Sequence, residues 1–123
     1  MSRVRPPAVA GLFYPQDADE LRRVVGGHLA ACQRSGEARR PKALIVPHAG
    51  YPYSGDVAGC AYRPLGDSRA TIRHVVLLGP SHRVALRGLA ASHARAFTTP
   101  LGEVAIDRAA LAGLADLPQL GFS

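Results

Sequence analysis

The sequence contains few cysteines, which limits the disulfides and cysteine-based metal sites it can form. Only Cys32 and Cys60 occur among 123 residues, in the contexts LAACQR and AGCAYR. A small domain held together by disulfides carries more cysteines than this, and neither residue has the paired spacing of a zinc site. We therefore predict two reduced thiols with packing roles on helices.

The sequence also lacks a long apolar run and a secretory leader. No segment approaches the roughly 20 apolar residues that span a bilayer, and the N-terminus has no apolar core with a small-residue cleavage site. With 47% hydrophobic and 20% charged residues, the chain has the composition of a folded globular protein. These features predict a single cytoplasmic domain without a membrane segment.

Lysine is nearly absent, and arginine supplies the positive charge. The net charge is +6, and Lys42 is the only lysine. A nucleic-acid-binding surface needs clustered cations that neutralise phosphates. The arginines are instead scattered singly or in pairs along the chain, so we predict no nucleic-acid partner.

Two kinds of segment predict an α/β fold. Asp17 followed by Glu20 is typical of a helix start, and apolar residues then recur at helical spacing to Cys32. A second helix is expected from Ser54 or Asp56 to about Tyr62, and a third after the capping residue Asp107. The apolar runs 43–46 and 74–78 are typical of buried parallel strands. Further strands are expected within 86–91 and, after a turn at Pro100 and Gly102, up to Ile106. The pattern predicts an open, mainly parallel sheet flanked by helices, and the small number of elements predicts an incomplete, truncated fold.

Two histidines follow the two strongest strand predictions. His48 lies in LIVPHAGYPYSG and His82 in VVLLGPSH. Ligands of open α/β sheets bind beyond the carboxyl ends of the strands, and imidazole is both a common metal ligand and the usual general base near neutral pH. A single histidine there would more simply cap a strand end. Two at equivalent positions, each in a Gly/Pro-rich loop, favour a metal or substrate site.

Other side chains are weaker candidates for a functional site. Tyr51 and Tyr53 could anchor the loop or line a pocket, and Ser81 lacks the glycine-flanked context of a serine nucleophile. Asp56 could cap a helix or partner an imidazole, and capping is favoured. We expect His28 to be a half-buried packing residue on the first helix, and His74 and His93 to be solvated.

Four blocks of sequence, in order and in register, resemble the Memo family, which includes protein B of the AmmeMemoRadiSam system. They are RPP with AGLFYP near the N-terminus, PHAGY with YSG, LGPSH, and TPLGE with a following aspartate. The resemblance covers essentially the whole chain, residues 1–123, but only the N-terminal portion of a single Memo-like domain. It implies a fold like that of the class III extradiol dioxygenases, which use non-heme iron(II).

The resemblance also implies roles for individual residues. His48 and His82 match two metal ligands of the family, which would hold Fe(II) or another divalent metal, whereas the third ligand is absent from this chain. From their own positions beside these histidines, rather than from the resemblance, Tyr51, Tyr53 and Ser81 are candidates for binding a substrate or peptide. Two functions remain open. One is a metal-dependent redox enzyme of the dioxygenase type, and the other is a non-catalytic protein that binds a peptide or small molecule in a vestigial pocket. The family name implies radical-SAM and AMMECR-like partners.

Overall fold

The computed structural model describes residues 3–32 and 39–122, which divide into two compact units. The first unit is continuous and spans residues 7–73, and the second combines residues 1–6 with residues 74–123. Five short strands and three α-helices are present in the described ranges, so the predicted α/β class is confirmed. None of these helices is long and apolar enough to cross a membrane.

Helices α1, Ala18–Ala30, and α2, Tyr51–Tyr62, form the body of the continuous unit, and a 3-10 helix follows at Arg63–Ser68. Asp17 caps α1 as predicted, because its side chain accepts a hydrogen bond of 2.9 Å from the backbone N–H of Glu20. The second helix begins a few residues earlier than predicted, at Tyr51, with a proline in its first turn. Proline fits there because the first turn leaves its N–H groups without helical partners.

Two glycines of α2 allow the helices to approach closely. A Cβ at Gly59 would lie 2.5 Å from the carbonyl oxygen of His28, and a Cβ at Gly55 would collide with the His28 imidazole. This crossing brings the C-terminal ends of the helices together, and Cys32 and Cys60 form a disulfide with their Cα atoms 5.0 Å apart. The prediction of two reduced thiols is therefore wrong. Each cysteine does take a packing position, but helix packing places the two side by side.

The second unit contains both sheets. Strands β1 (Val4–Arg5), β3 (Ala96–Thr99) and β4 (Gly102–Ala105) form one sheet, in which β1 pairs with β3 in parallel and β3 pairs with β4 antiparallel. Strands β2 (Leu89–Ala91) and β5 (Leu120–Phe122) form a parallel pair. The turn between β3 and β4 and the strand within 86–91 agree with the sequence predictions.

The last helix, α3 (Arg108–Gly113), begins as predicted at Asp107, whose carboxylate accepts from the backbone N–H of Ala110 at 2.9 Å. That hydrogen bond, together with the imidazole of His74 at 3.1 Å, holds the pKa of Asp107 below its ordinary value. Both contacts favour the ionised carboxylate. The helix cap predicted at Asp107 is therefore present.

The two predicted central strands are wrong. Neither 43–46 nor 74–78 is a strand in the described part of the chain. No side chain of either run is fully buried: Ile45 is fully accessible, Leu44 and Val46 are half-buried, and the whole of 74–78 is exposed, with Val76 87% accessible. A strand exists only when its backbone groups pair with a neighbour, so an apolar run alone does not make one. The described residues therefore form two small sheets instead of the one open sheet that was predicted.

The buried interior is small. The buried hydrophobic residues of the described ranges are Leu21 and Cys32 in the continuous unit and Ala94 and Ala96 in the other. Leu21 comes from the predicted apolar stripe of α1. Three of these four side chains are small. The helix caps, the hydrogen bonds and the disulfide therefore contribute much of what fixes the local structure.

Candidate functional site

The loop carrying His48 is held in place by backbone hydrogen bonds. The N–H of Tyr51 donates to the carbonyl oxygen of Phe13 at 2.8 Å, and the Ser54 hydroxyl donates to the carbonyl oxygen of Ala49 at 3.0 Å. The loop is therefore tied both to the N-terminal segment and to the first turn of α2. His48 itself is exposed on this fixed loop.

Beside this loop lies a cavity of about 310 Å³. Its walls come from the N-terminal segment, one face of α1 and the start of α2: Gly11, Leu12, Phe13, Tyr14, Pro15, Val24, His28, Tyr51 and Pro52. Cavities of this size accept small ligands. Tyr51 is among the residues that line this cavity, whereas Tyr53 is 87% exposed and is not. That either residue contacts a substrate or peptide stays a prediction.

The pocket contains a group of aromatic rings. The Tyr14 and Tyr51 rings lie 5.7 Å apart in a tilted arrangement, and the His28 ring meets Tyr51 edge-on at the same distance. Burial raises the pKa of Tyr51, and the neighbouring Tyr14 and Tyr62 hydroxyls add to the effect. At neutral pH the Tyr51 phenol is therefore a neutral group that can donate a hydrogen bond.

A carboxylate orients the imidazole in this pocket. His28 Nδ1 lies 2.7 Å from Asp56 Oδ1, and 22% of the His28 side chain is exposed against 75% of Asp56. His28 is half-buried as predicted, and Asp56 is an imidazole partner rather than a helix cap. Sequence reasoning missed the pairing because 28 residues separate the two. The sequence feature that could have indicated this contact was that both His28 and Asp56 fall within helices predicted from the sequence.

His82 and Ser81 lie in the second unit, on an exposed loop. The Ser81 hydroxyl donates to the carbonyl oxygen of Val84, which closes a short local turn. His48 belongs to the continuous unit. That His48 and His82 face one pocket therefore stays a prediction.

The remaining histidines have local roles. His74 is exposed and pairs with Asp107, and His93, also exposed, lies against the Phe122 ring at 5.3 Å between centroids. Within residues 3–32 and 39–122, no group of three or more His, Cys, Asp or Glu side chains could hold a metal ion.

Comparison with known proteins identifies relatives across bacteria, archaea and animals. The chain is 42% identical over 105 residues to a MEMO1 family protein of Aquifex aeolicus, covering 85% of this chain and 37% of the relative. It is 40% identical over 119 residues to a MEMO1 family protein of Ignicoccus hospitalis, covering 90% and 41%. Protein MEMO1 of Xenopus tropicalis is 39% identical over 105 residues, covering 85% and 34%.

The chain therefore spans between about a third and two fifths of the length of these relatives. The family model described as Memo-like protein matches residues 5–122, which include all four sequence blocks noted above. The chain belongs to the Memo-like protein family.

Proposed function

We propose that this Memo-like protein contributes His48 and His82 to an iron(II)-type centre and acts as a metal-dependent oxidoreductase. The observation that carries the proposal is the position of the two imidazoles, each exposed in a Gly/Pro-rich loop directly after an apolar segment. Imidazole nitrogen suits iron, and two histidines with one further anionic donor form the common non-heme iron site. The same donors also accept other divalent metals.

His48 and His82 would supply two of the three donors such a centre needs. Since no group of three or more His, Cys, Asp or Glu side chains is assembled within the described ranges, the third donor would come from elsewhere. A bound ion of this kind supplies Lewis-acid or redox chemistry to a substrate oxygen. The chain's own contribution is to present the His48 imidazole on a loop fixed through Ala49 and Tyr51.

Anaerobic titration with iron(II) tests this proposal. The protein is compared with its His48→Ala and His82→Ala variants and with His93→Ala, an exposed histidine outside the proposed site. Loss of a ligand should weaken binding more than tenfold, since even the loss of a group that supports a ligand costs roughly 10–100-fold. The His93→Ala variant should bind as the parent does. Equal affinity in all four proteins would reject the centre.

A second candidate function is non-catalytic binding of a peptide or small molecule. The cavity lined by Tyr14, His28 and Tyr51 favours it, because aromatic walls bind apolar groups and the Tyr51 phenol and the imidazole can hydrogen bond to a ligand. Dioxygen consumption with a catechol probe separates the two functions. Iron-dependent consumption that is lost in His48→Ala supports the enzyme. Binding of the probe without consumption supports the binding protein.

The family resemblance suggests the partners, and the sequence features described above suggest the compartment. We propose radical-SAM and AMMECR-like proteins as partners and the cytoplasm as the compartment. A reducing compartment would keep Cys32 and Cys60 as a dithiol. Co-purification of tagged protein from cells tests the partners, and trapping its thiols in the same cells reports the compartment's effect on the cysteine pair.

A further inference from the structure

A second cavity, of about 540 Å³, lies in the continuous unit, away from the residues considered above. It is a groove between α1 and the end of α2 with its 3-10 helix. The apolar side chains among its lining residues are Leu29, Ala30, Tyr62 and Leu65. This volume lies in the middle of the range, roughly 300–1,000 Å³, of small-molecule sites.

Two guanidinium groups line the same groove. Arg63 and Arg69 are both exposed, and none of the described lining residues is acidic. Arg63 is held in position, because its Nη1 donates to the carbonyl oxygens of Leu29 at 3.2 Å and Cys32 at 2.8 Å. Arginine offers five N–H donors and remains charged at any physiological pH, so it suits a carboxylate partner. The lining combines an apolar wall with fixed positive charge.

The walls of the groove are joined covalently. The Cys32–Cys60 disulfide links the residues just beyond α1 to α2, close to the Arg63 anchor on Cys32. A groove with walls held in this way requires little rearrangement when a ligand enters, which lowers the cost of binding. In the disulfide-bonded form, this part of the unit is therefore a preformed site, and the binding test below uses the oxidised protein.

We propose that the groove binds a linear aliphatic carboxylate, with its alkyl chain on Leu29, Tyr62 and Leu65 and its head group at Arg63 and Arg69. The apolar wall favours an alkyl chain over a polar ligand. The two guanidinium groups, with no described acidic neighbour in the lining, select an anionic head. This site goes beyond the proposed metal centre and uses none of its residues.

Two glycines give the groove a sharp test. Gly26 lines the groove, Gly27 does not, and a Cβ at either position would meet no atom within 4 Å. Both lie in α1, so substituting either raises helix propensity. Gly26→Leu adds a side chain whose Cβ has open space and which extends into the groove. Gly27→Leu is the matched control on the same helix.

The experiment is calorimetric titration of the whole chain with octanoate, decanoate and dodecanoate below their micelle concentrations. Affinity should rise by roughly fourfold for each added CH₂ group, as expected for burial of alkyl surface. Gly26→Leu should weaken dodecanoate binding at least tenfold and Gly27→Leu should not. Arg69→Gln should weaken it at least tenfold, because a charge-assisted hydrogen bond is lost, whereas Arg73→Gln should leave it unchanged.

Three results would overturn the proposal. These are undetectable dodecanoate binding to the parent protein, equal binding to the Gly26→Leu and Gly27→Leu variants, and equal binding of dodecanol and dodecanoate. The last result would mean that the alkyl chain binds without recognition of the carboxylate. Loss of iron binding in the histidine variants does not affect this test, so the two proposals fail separately.

Discussion

Reduction of the Cys32–Cys60 disulfide should lower the free energy of unfolding of the continuous unit by about 3.6 kcal/mol. The bond closes a loop with a sequence separation of 28 residues. A cross-link of this length removes roughly 12 cal/mol/K of chain entropy from the unfolded state, which gives about 3.6 kcal/mol at 298 K. Because small domains are stable by only about 5–15 kcal/mol, this is a large share of the total.

Urea denaturation followed by circular dichroism at 222 nm measures the effect, since α1 and α2 contribute most of the helix in the described chain. With an m-value of roughly 1–3 kcal/mol/M, the reduced protein should unfold at a urea concentration about 1.2–3.6 M lower. The Cys32→Ala/Cys60→Ala double variant is the control, and reductant should not change its midpoint. An equal midpoint for oxidised and reduced parent protein would refute the entropy argument.

Three further predictions concern packing, ionisation and exposed surface. Gly59→Ala should lower the free energy of unfolding, measured in urea, by about 1–3 kcal/mol, because the added Cβ would press on the His28 carbonyl. Gly27→Ala, where a Cβ meets no atom, should raise it by roughly 0.5–1 kcal/mol. Equal effects of the two substitutions would contradict the close helix crossing. Burial raises the pKa of Tyr51 above its ordinary value of 10.0, so its phenol should ionise above pH 10 in absorbance titration. The stability that the neutral phenol contributes should be complete below pH 10 and fall as the pH rises further. Tyr51→Phe should remove both this ionisation and that part of the pH dependence, and an unchanged profile would contradict the prediction. The exposed apolar run Val75–Leu78 should cause reversible self-association, which sedimentation velocity measures and which Val76→Lys should weaken. A parent protein that stays monomeric at every concentration would contradict this prediction.

Local chemistry explains what could be predicted from the sequence. The caps at Asp17 and Asp107 each depend on a side chain and an N–H three residues apart, so the sequence contains the whole interaction. The turn before Gly102 is similarly local, and glycine there adopts a φ of 133°, which other residues rarely tolerate. Helix starts, one turn and the α/β class were therefore accessible from sequence.

Non-local pairing explains what could not be predicted. The apolar runs 43–46 and 74–78 have strand-like composition, but a ladder also needs a neighbouring strand, which sequence pattern does not supply. The disulfide and the His28–Asp56 contact likewise depend on how α1 and α2 cross. For the candidate site, the roles predicted for Tyr51 and His48 stay predictions, and the sequence did not indicate the aromatic cavity beside them.

The division of the chain has a consequence for the order of events during synthesis on the ribosome. Val4 pairs with Ala96, and the Thr98 hydroxyl bonds to the Arg5 carbonyl, so β1 is synthesised about 90 residues before its partner strand. At roughly 5–20 residues per second, β1 waits on the order of 5–20 s for β3. The continuous unit, residues 7–73, has no such delay and can form its helix pair first. The nascent N-terminal strand therefore spends seconds as an unpaired edge, in which time it is accessible to chaperones and to other chains.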